Sequence, residues 1–353
     1  MNRLDKLNDR TDAEKWAHPE LQQAFAAAET PNPMFEQIYN PEIPFEKRKA
    51  DNESAYEAIM AAAPSPDPEK NKKYDIPGCP EEPDTSVSIM VAKPGKIKKK
   101  KLPCILHIAA GGLYACYNPY PDTLAEQYDA VAVVCDYRTL FKGGCYPATI
   151  NDLHATYQWV VEHADELGVD SDKIVINGIS SGGHLALALC HRLKRYGYHP
   201  RGCVAEVPIP DERTIYNSSK RVQNWGGREL YASGQAWLGY RNANAASVPA
   251  EAFANHAEPE DCIGLPPTFI HTCDSEVATD PDMAYASKLI RAGVYVDLHV
   301  WGGCNHAAMT FEESSLNRSE YGQFYCDLKK KQIQDCFRYD LRRQWIEEEL
   351  KED

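Results

Sequence analysis

No stretch of the 353 residues approaches the roughly 18 consecutive apolar positions that a membrane-spanning helix requires, so no span is expected. The opening residues, MNRLDKLNDR, lack the apolar core of a secretory leader. Positive charge is in deficit: 38 Lys and Arg stand against 52 Asp and Glu, a net charge of −14. That balance disfavours nucleic acid and anionic membranes as partners. The single basic run, KIKKKK at 96–101, lies between two strand-like segments and reads as a solvated hairpin tip. None of the twelve cysteines shows CxxC spacing, so neither a metal nor a redox centre is expected. Cys104, Cys135 and Cys190 sit inside apolar runs, where a free thiol packs as a small hydrophobe. The expectation is a reducing, cytoplasmic setting, in which the sequons at Asn217 and Asn317 carry no weight.

What the sequence has is an ordinary globular composition, 43% hydrophobic and 25% charged, and enough length for one large α/β domain with a lid. Residues 1–80 are polar, helix-prone and broken by proline, and read as a helical segment contributing to a cap. Short β-branched runs then alternate with helical ones: SVSIMVA (86–92), PCILHIA (103–109), AVAVVCDY (130–137), KIVINGI (173–179), CVAEVPI (203–209), TFIHTC (268–273) and VYVDLHVW (294–301). From 103 onward they are almost continuously apolar, as strands covered on both faces must be. Helices are expected over 148–167, 182–196, 281–292 (with Asp280 as N-cap) and about 320–350. This alternation implies a mainly parallel sheet with helices on both sides. Residues 211–265 break the rhythm with a Trp-, Tyr-, Gly- and Asn-rich stretch. They read as a cap insertion between core segments 81–210 and 266–353.

The sharpest local signal is VINGISSGGHLALAL, in which a strand ending in Gly178-Ile179-Ser180-Ser181-Gly182 runs directly into a helix. In a G-x-S-x-G elbow the central serine sits on a tight turn with its hydroxyl exposed at the top of the sheet. As letters alone the pentapeptide is weak, and a purely structural turn is the competing reading. The strand before it and the helix after it favour Ser180 as a nucleophile.

A serine needs a base, and His306 follows the last strand-like run in VWGGCNHAAM. Its position after an acid-bearing loop gives the order serine, acid, histidine that hydrolases of this type use. The loop after TFIHTC offers Asp274, Glu276 and Asp280 as the acid. With Asp280 assigned to the helix cap, Glu276 is favoured and Asp274 is the alternative.

Four landmarks now resemble the hormone-sensitive-lipase-like branch of the α/β-hydrolases, over roughly residues 85–310. They are LPCILHIAAGGL, CDYRTLFKGGCYPATINDL, GISSGGHLA and the stretch from LPPTFIHTCDSEVATD to GGCNHA. The resemblance implies an α/β-hydrolase fold with Ser180, Glu276 and His306 as catalytic triad, although aspartate is commoner at the acid position. It also sets Ala109-Ala110-Gly111-Gly112 on the family's His-Gly-Gly-Gly oxyanion loop. Oxyanion stabilisation depends on backbone N–H groups rather than side chains. The implied donors are Gly111, Gly112 and Ser181, which makes the loop functional but non-standard. Leu113, Tyr114, Trp225 and Trp237 are possible substrate-pocket residues. The aromatics of the insertion, which include Tyr231 and Tyr240, would equally suit a small core of its own.

The leading expectation is a serine esterase acting on small or medium acyl or aryl esters, without cofactor or metal. An amidase, formamidase or lactonase with the same triad is the nearest alternative. A ligand-binding protein on a hydrolase fold is the alternative from another class. The sequence leaves the oligomeric state open.

Overall fold

The computed structural model describes residues 12–29, 40, 42–62, 67–96, 100–117, 120–221, 227–239, 247–314, 317–343 and 345–350. Eight strands form one sheet: β1 (Lys72–Pro77), β2 (Ser86–Ala92), β3 (Leu102–Ile108), β4 (Val131–Cys135), β5 (Val169–Ile179), β6 (Gly202–Glu206), β7 (Thr268–Cys273) and β8 (Val296–Trp301). Their spatial order is β1-β2-β4-β3-β5-β6-β7-β8. The β1–β2 and β2–β4 pairs are antiparallel and all others parallel.

Side chains of a strand alternate between faces, and here the alternation separates two cores. Cys104, Leu106, Val131 and Val133 face a cluster with Ile150, Leu153, Leu185, Leu189 and Leu289. Ile105, Ala132 and Val134 face the other way, onto Leu124, Tyr128, Ile333 and Phe337. The helices Ala148–Glu162, Ser181–Arg195 and Thr279–Arg291 thus cover one face, and Pro121–Tyr128 and Glu320–Arg338 the other. Each fully buried Leu or Ile on these faces contributes about 1.5–3 kcal/mol.

Several expectations need correction. β1 lies inside 1–80, read as helical, and its pairing with β2 carries the sheet upstream of residue 81. The lysine run is no hairpin tip, because β2 and β3 do not pair and β4 stands between them. The last long helix stops at Arg338 rather than continuing to 350, and a short helix, Trp345–Glu349, follows. Buried Arg201 explains the break: its Nε donates to the Cys336 carbonyl (3.0 Å), and its guanidinium pairs with Asp340 (3.0 Å) and Asp172 (2.9 Å). Phe324, on the first turns of that helix, is 62% exposed.

Chain from both extra segments packs around the strand ends. Leu21 and Ala24 join Ile179, Cys273, Trp301 and Met309 in one cluster. From 211–265, Trp237, Leu238 and Phe253 enter the main core rather than a separate one. No helix among the described residues is long and apolar enough to cross a membrane.

Candidate active site

β5 ends at Ile179 and the next helix starts at Ser181, so Ser180 makes the whole turn, at φ 58° and ψ −123°. Such a backbone is strained for a residue with a side chain, and it persists because the surroundings leave no alternative. A Cβ on Gly178 would lie 2.2 Å from the Gly182 carbonyl oxygen, and one on Gly182 2.0 Å from that of Ile108. Only glycine lets strand and helix approach this closely. The Ser180 amide donates to the Glu206 carbonyl on β6 (2.8 Å), which pins the turn to the neighbouring strand.

The other two side chains arrive from separate strand ends. His306 opens a helix, His306–Ser314, just after β8, and Glu276 lies between β7 and the helix Thr279–Arg291. His306 Nε2 is 2.8 Å from Ser180 Oγ, and its Nδ1 is 2.8 Å from Glu276 Oε2. The second oxygen of Glu276 accepts the amides of Val277 (2.9 Å) and Ala278 (3.3 Å). Glu276 is 1% exposed, so its carboxylate is fixed by its own loop before it meets the imidazole.

The two other acids lie elsewhere. Asp274 accepts the Gly303 amide (3.0 Å) and the Ser275 hydroxyl (3.2 Å), tying together the loops after β7 and β8. Asp280 is not the helix N-cap: the helix starts at Thr279 with Ala278 as its cap. Its carboxylate instead accepts the Ser218 amide (2.8 Å), while the Asp280 amide donates to Ser218 Oγ (3.1 Å). This reciprocal clasp fastens the 211–265 segment to the core helix.

The Ala109–Gly112 loop lies against the same spot. Gly111, Gly112 and Leu113 have φ values of 148°, 58° and 67°, and a Cβ on Gly111 would lie 2.1 Å from the Ala115 carbonyl oxygen. Tyr137 donates its hydroxyl to the Ala109 carbonyl (2.8 Å), and the Tyr117 amide donates to that of Ala110 (3.1 Å). The loop is therefore held by hydrogen bonds to its first two carbonyls. Among the described residues the amides of Gly112 and Ser181 have no partner.

Gly112, Leu113, Ser181, His184, Gly234 and Phe253 line a recess of about 10 Å³, room for one water-sized sphere. Of the four expected pocket residues, Leu113, Tyr114, Trp225 and Trp237, only Leu113 lines it among the described residues. Tyr114 turns the other way, its hydroxyl accepting from Arg48 (3.2 Å), and borders a separate cavity of about 310 Å³. Trp237 is fully buried behind the recess, edge-on to His184 and Phe253, and its indole N–H donates to Thr149. Tyr231 is buried, with its hydroxyl 3.4 Å from the Val277 carbonyl. Trp225 and Tyr240 lie outside the described residues. His184 lies in the GISSGGHLA landmark without a role assigned to it, and Phe253 belongs to no motif; only the fold stacks them, ring centroids 4.4 Å apart. Burial pushes the His184 imidazole down to about 3, so it is neutral at physiological pH.

Comparison with known proteins identifies the family of the fold. A family model described as alpha/beta hydrolase fold matches residues 110–310. The esterase LipU of Mycobacterium tuberculosis is 28% identical over 242 residues, 62% of this chain and 76% of its own length. The carboxylesterase/phospholipase LipF of the same organism is 29% identical over 241 residues, 63% of this chain and 61% of its own length. A solved bacterial heroin esterase superposes with a TM-score of 0.75 at 23% identity, covering 92% of this chain and 98% of that one. With the family model spanning more than half of its residues, the chain belongs to the α/β-hydrolase-fold family, whose hormone-sensitive-lipase-like branch its motifs resemble.

Proposed function

We propose that the chain is a serine carboxylic-ester hydrolase that works through an acyl-enzyme intermediate. One observation carries the reading: the unbroken hydrogen-bonded chain Ser180–His306–Glu276. Ser180 Oγ attacks the ester carbonyl as His306 Nε2 takes its proton. Glu276 holds the ring by Nδ1 and stabilises the imidazolium that forms. The amides of Gly112 and Ser181, with that of Gly111 beside them, face the developing oxyanion. Collapse of the tetrahedral intermediate expels the alcohol, which takes its proton from His306. Water then enters, His306 deprotonates it, and the acid leaves with Ser180 restored. Every step uses protein groups and water alone.

The ester bond is supported by the names of the relatives, esterase and carboxylesterase. The recess beside Ser181 favours short acyl groups, since a space of one water-sized sphere takes a methyl but not a long chain. The segment 211–265 supplies Gly234 and Phe253 to that recess and acts as the specificity-setting cap. A ligand-binding role would need neither an aligned base nor an oriented acid, and both are present.

The test is hydrolysis of p-nitrophenyl acetate, butyrate and octanoate by wild type and Ser180→Ala. Turnover should fall with chain length in wild type and drop by several orders of magnitude in the variant, which should keep its circular dichroism spectrum. Substantial turnover by folded Ser180→Ala would sink the mechanism. A folded wild type inert toward all three esters would shift the reading to amides or lactones.

A further inference from the structure

Away from Ser180, two groups of three side chains among the described residues bring possible metal-ligating atoms within 4.8 Å of one another. In the first, Asp211, Glu212 and His256, the polar atoms already have partners. Asp211 is taken by Arg213 and Tyr216, and Glu212 by His256. The second, Cys79, Glu81 and His154, is different.

His154 is fully buried on the helix Ala148–Glu162, and neither ring nitrogen has a hydrogen-bond partner. Buried polar groups are nearly always satisfied, and an orphan calls for an explanation. Its ring stands against Tyr196, with centroids 4.5 Å apart, and Nδ1 is 4.0 Å from Glu81 Oε2.

Cys79 and Glu81 are presented by the tight turn between β1 and β2. A Cβ on Gly78 would lie 2.0 Å from the Glu82 carbonyl oxygen, and the Glu82 amide donates back to the Cys79 carbonyl (2.9 Å). Glu81 divides its two oxygens. Oε1 faces Arg192 (3.1 Å) and Arg195 (3.8 Å), while Oε2 faces His154. Arg192 is itself drawn away by Glu251 (2.9 Å) and Asn151 (2.5 Å), which limits its repulsion of a cation on the far side of the carboxylate.

We propose that Cys79 Sγ, Glu81 Oε2 and His154 Nδ1 form a site for a borderline-soft divalent metal of the zinc class, with water as fourth ligand. Thiolate, imidazole and carboxylate are the ligand types zinc takes, at about 2.0–2.3 Å. Tetrahedral ligands then stand about 3.5 Å apart, so the three side chains must close by about 1 Å. Glu81, 32% exposed at its side chain, has the freedom to do so. Binding displaces the Cys79 thiol proton to solvent, one per metal ion, and gives the orphaned Nδ1 of His154 a partner. Arg192 lies twelve residues along its helix from Ser180, about 18 Å by helical rise. The ion therefore fastens the 78–82 turn to the helix Ala148–Glu162 and takes no part in ester hydrolysis.

The test is titration of chelator-stripped, full-length protein with Co²⁺, followed by its sulfur-to-cobalt charge-transfer and d–d absorption, with Zn²⁺ added as competitor. One equivalent should bind, give the charge-transfer band and be displaced by Zn²⁺. Cys79→Ser should lose the band, and Glu81→Gln, a change at a partly exposed side chain, should weaken binding at least tenfold. Cys145→Ser, which removes the one exposed thiol, should leave the band unchanged. A band that survives Cys79→Ser, an affinity unaltered in Glu81→Gln, or no band in the folded wild type would overturn the site.

Discussion

The Tyr137 hydroxyl donates to the Ala109 carbonyl across 2.8 Å, with both residues buried. Tyr137 follows β4, whereas Ala109 opens the glycine loop after β3, so the bond ties that loop to the neighbouring strand's end. It explains how a loop reading Ala-Ala-Gly-Gly keeps its shape: the tether acts on a carbonyl and is indifferent to the Ala109 side chain. Tyr137→Phe removes only the donor. Its kcat on p-nitrophenyl acetate should fall by about tenfold with KM within twofold, because the loosened group acts on the transition state more than on bound ester. Steady-state kinetics decide it, and an unchanged kcat would deny the tether any role.

Gly111→Ala attacks the same loop from within. At φ 148° a side chain is strained, and its Cβ would meet the Ala115 carbonyl oxygen. Displacing one oxyanion donor should lower kcat by about 10²–10³-fold. Activity within twofold of wild type would mean that the loop donors lie elsewhere.

The two acids between β7 and the next helix should separate cleanly. Glu276→Gln keeps the shape but loses the charge that holds the His306 tautomer, and kcat should drop by roughly 10⁴-fold. Asp274→Asn touches the Gly303 and Ser275 contacts and not His306, and should cost less than about tenfold. The reverse ranking in the same assay would move the acid to Asp274.

Phe253 closes the recess beside Ser181, and a Cβ on Gly234 would come within 3.1 Å of its ring. Phe253→Ala should raise the butyrate-to-acetate ratio of kcat/KM by about tenfold, the value of one or two methylenes in an apolar pocket. Because Phe253 also packs on Trp237, the variant should lose about 3–5 kcal/mol of stability. Urea titration checks that loss independently, and an unaltered ratio would place the acyl chain elsewhere.

Histidine burial sets a pH dependence of stability. His191 is buried, its Nε2 lies 2.9 Å from the Tyr285 hydroxyl, and burial pushes its imidazole from 6.5 down to about 3. The unfolded chain therefore takes up this proton first as pH falls. The contribution is complete above pH 6.5 and is lost as pH drops toward 3. Between pH 7 and pH 5 this one group should account for about 1–2 kcal/mol. His191→Gln should lose correspondingly less stability than wild type over that interval, measured by urea denaturation; parallel pH profiles would contradict the assignment.

Seven of the eight strands were legible as β-branched apolar runs, and β3, β4, β6 and β7 are buried along their whole length, as strands covered on both faces must be. β1 escaped because it is an edge strand whose lysines face water and whose one buried side chain is Ile76. The helix end at Arg338 escaped because Arg201, which holds the Cys336 carbonyl, is 135 residues away in sequence. Asp280 has the local signature of a cap, yet Ser218 claims its carboxylate. The meeting of Ser180, Glu276 and His306 was legible because the motif grammar constrains them; Phe253 and Gly234 obey only the packing, and Tyr137 lies in a landmark that carried no role for it. The cluster of Cys79, Glu81 and His154 had no spacing signal, since its ligands come from a turn and a helix more than 70 positions apart.

The 126-residue separation between Ser180 and His306 makes ester turnover a clock for folding. Closing so long a loop costs chain entropy that no local contact offsets, so the two side chains meet only after the sheet between β5 and β8 has assembled. During refolding, helical circular dichroism should return first and hydrolysis last, and the lag between them times the docking of the sheet's C-terminal half.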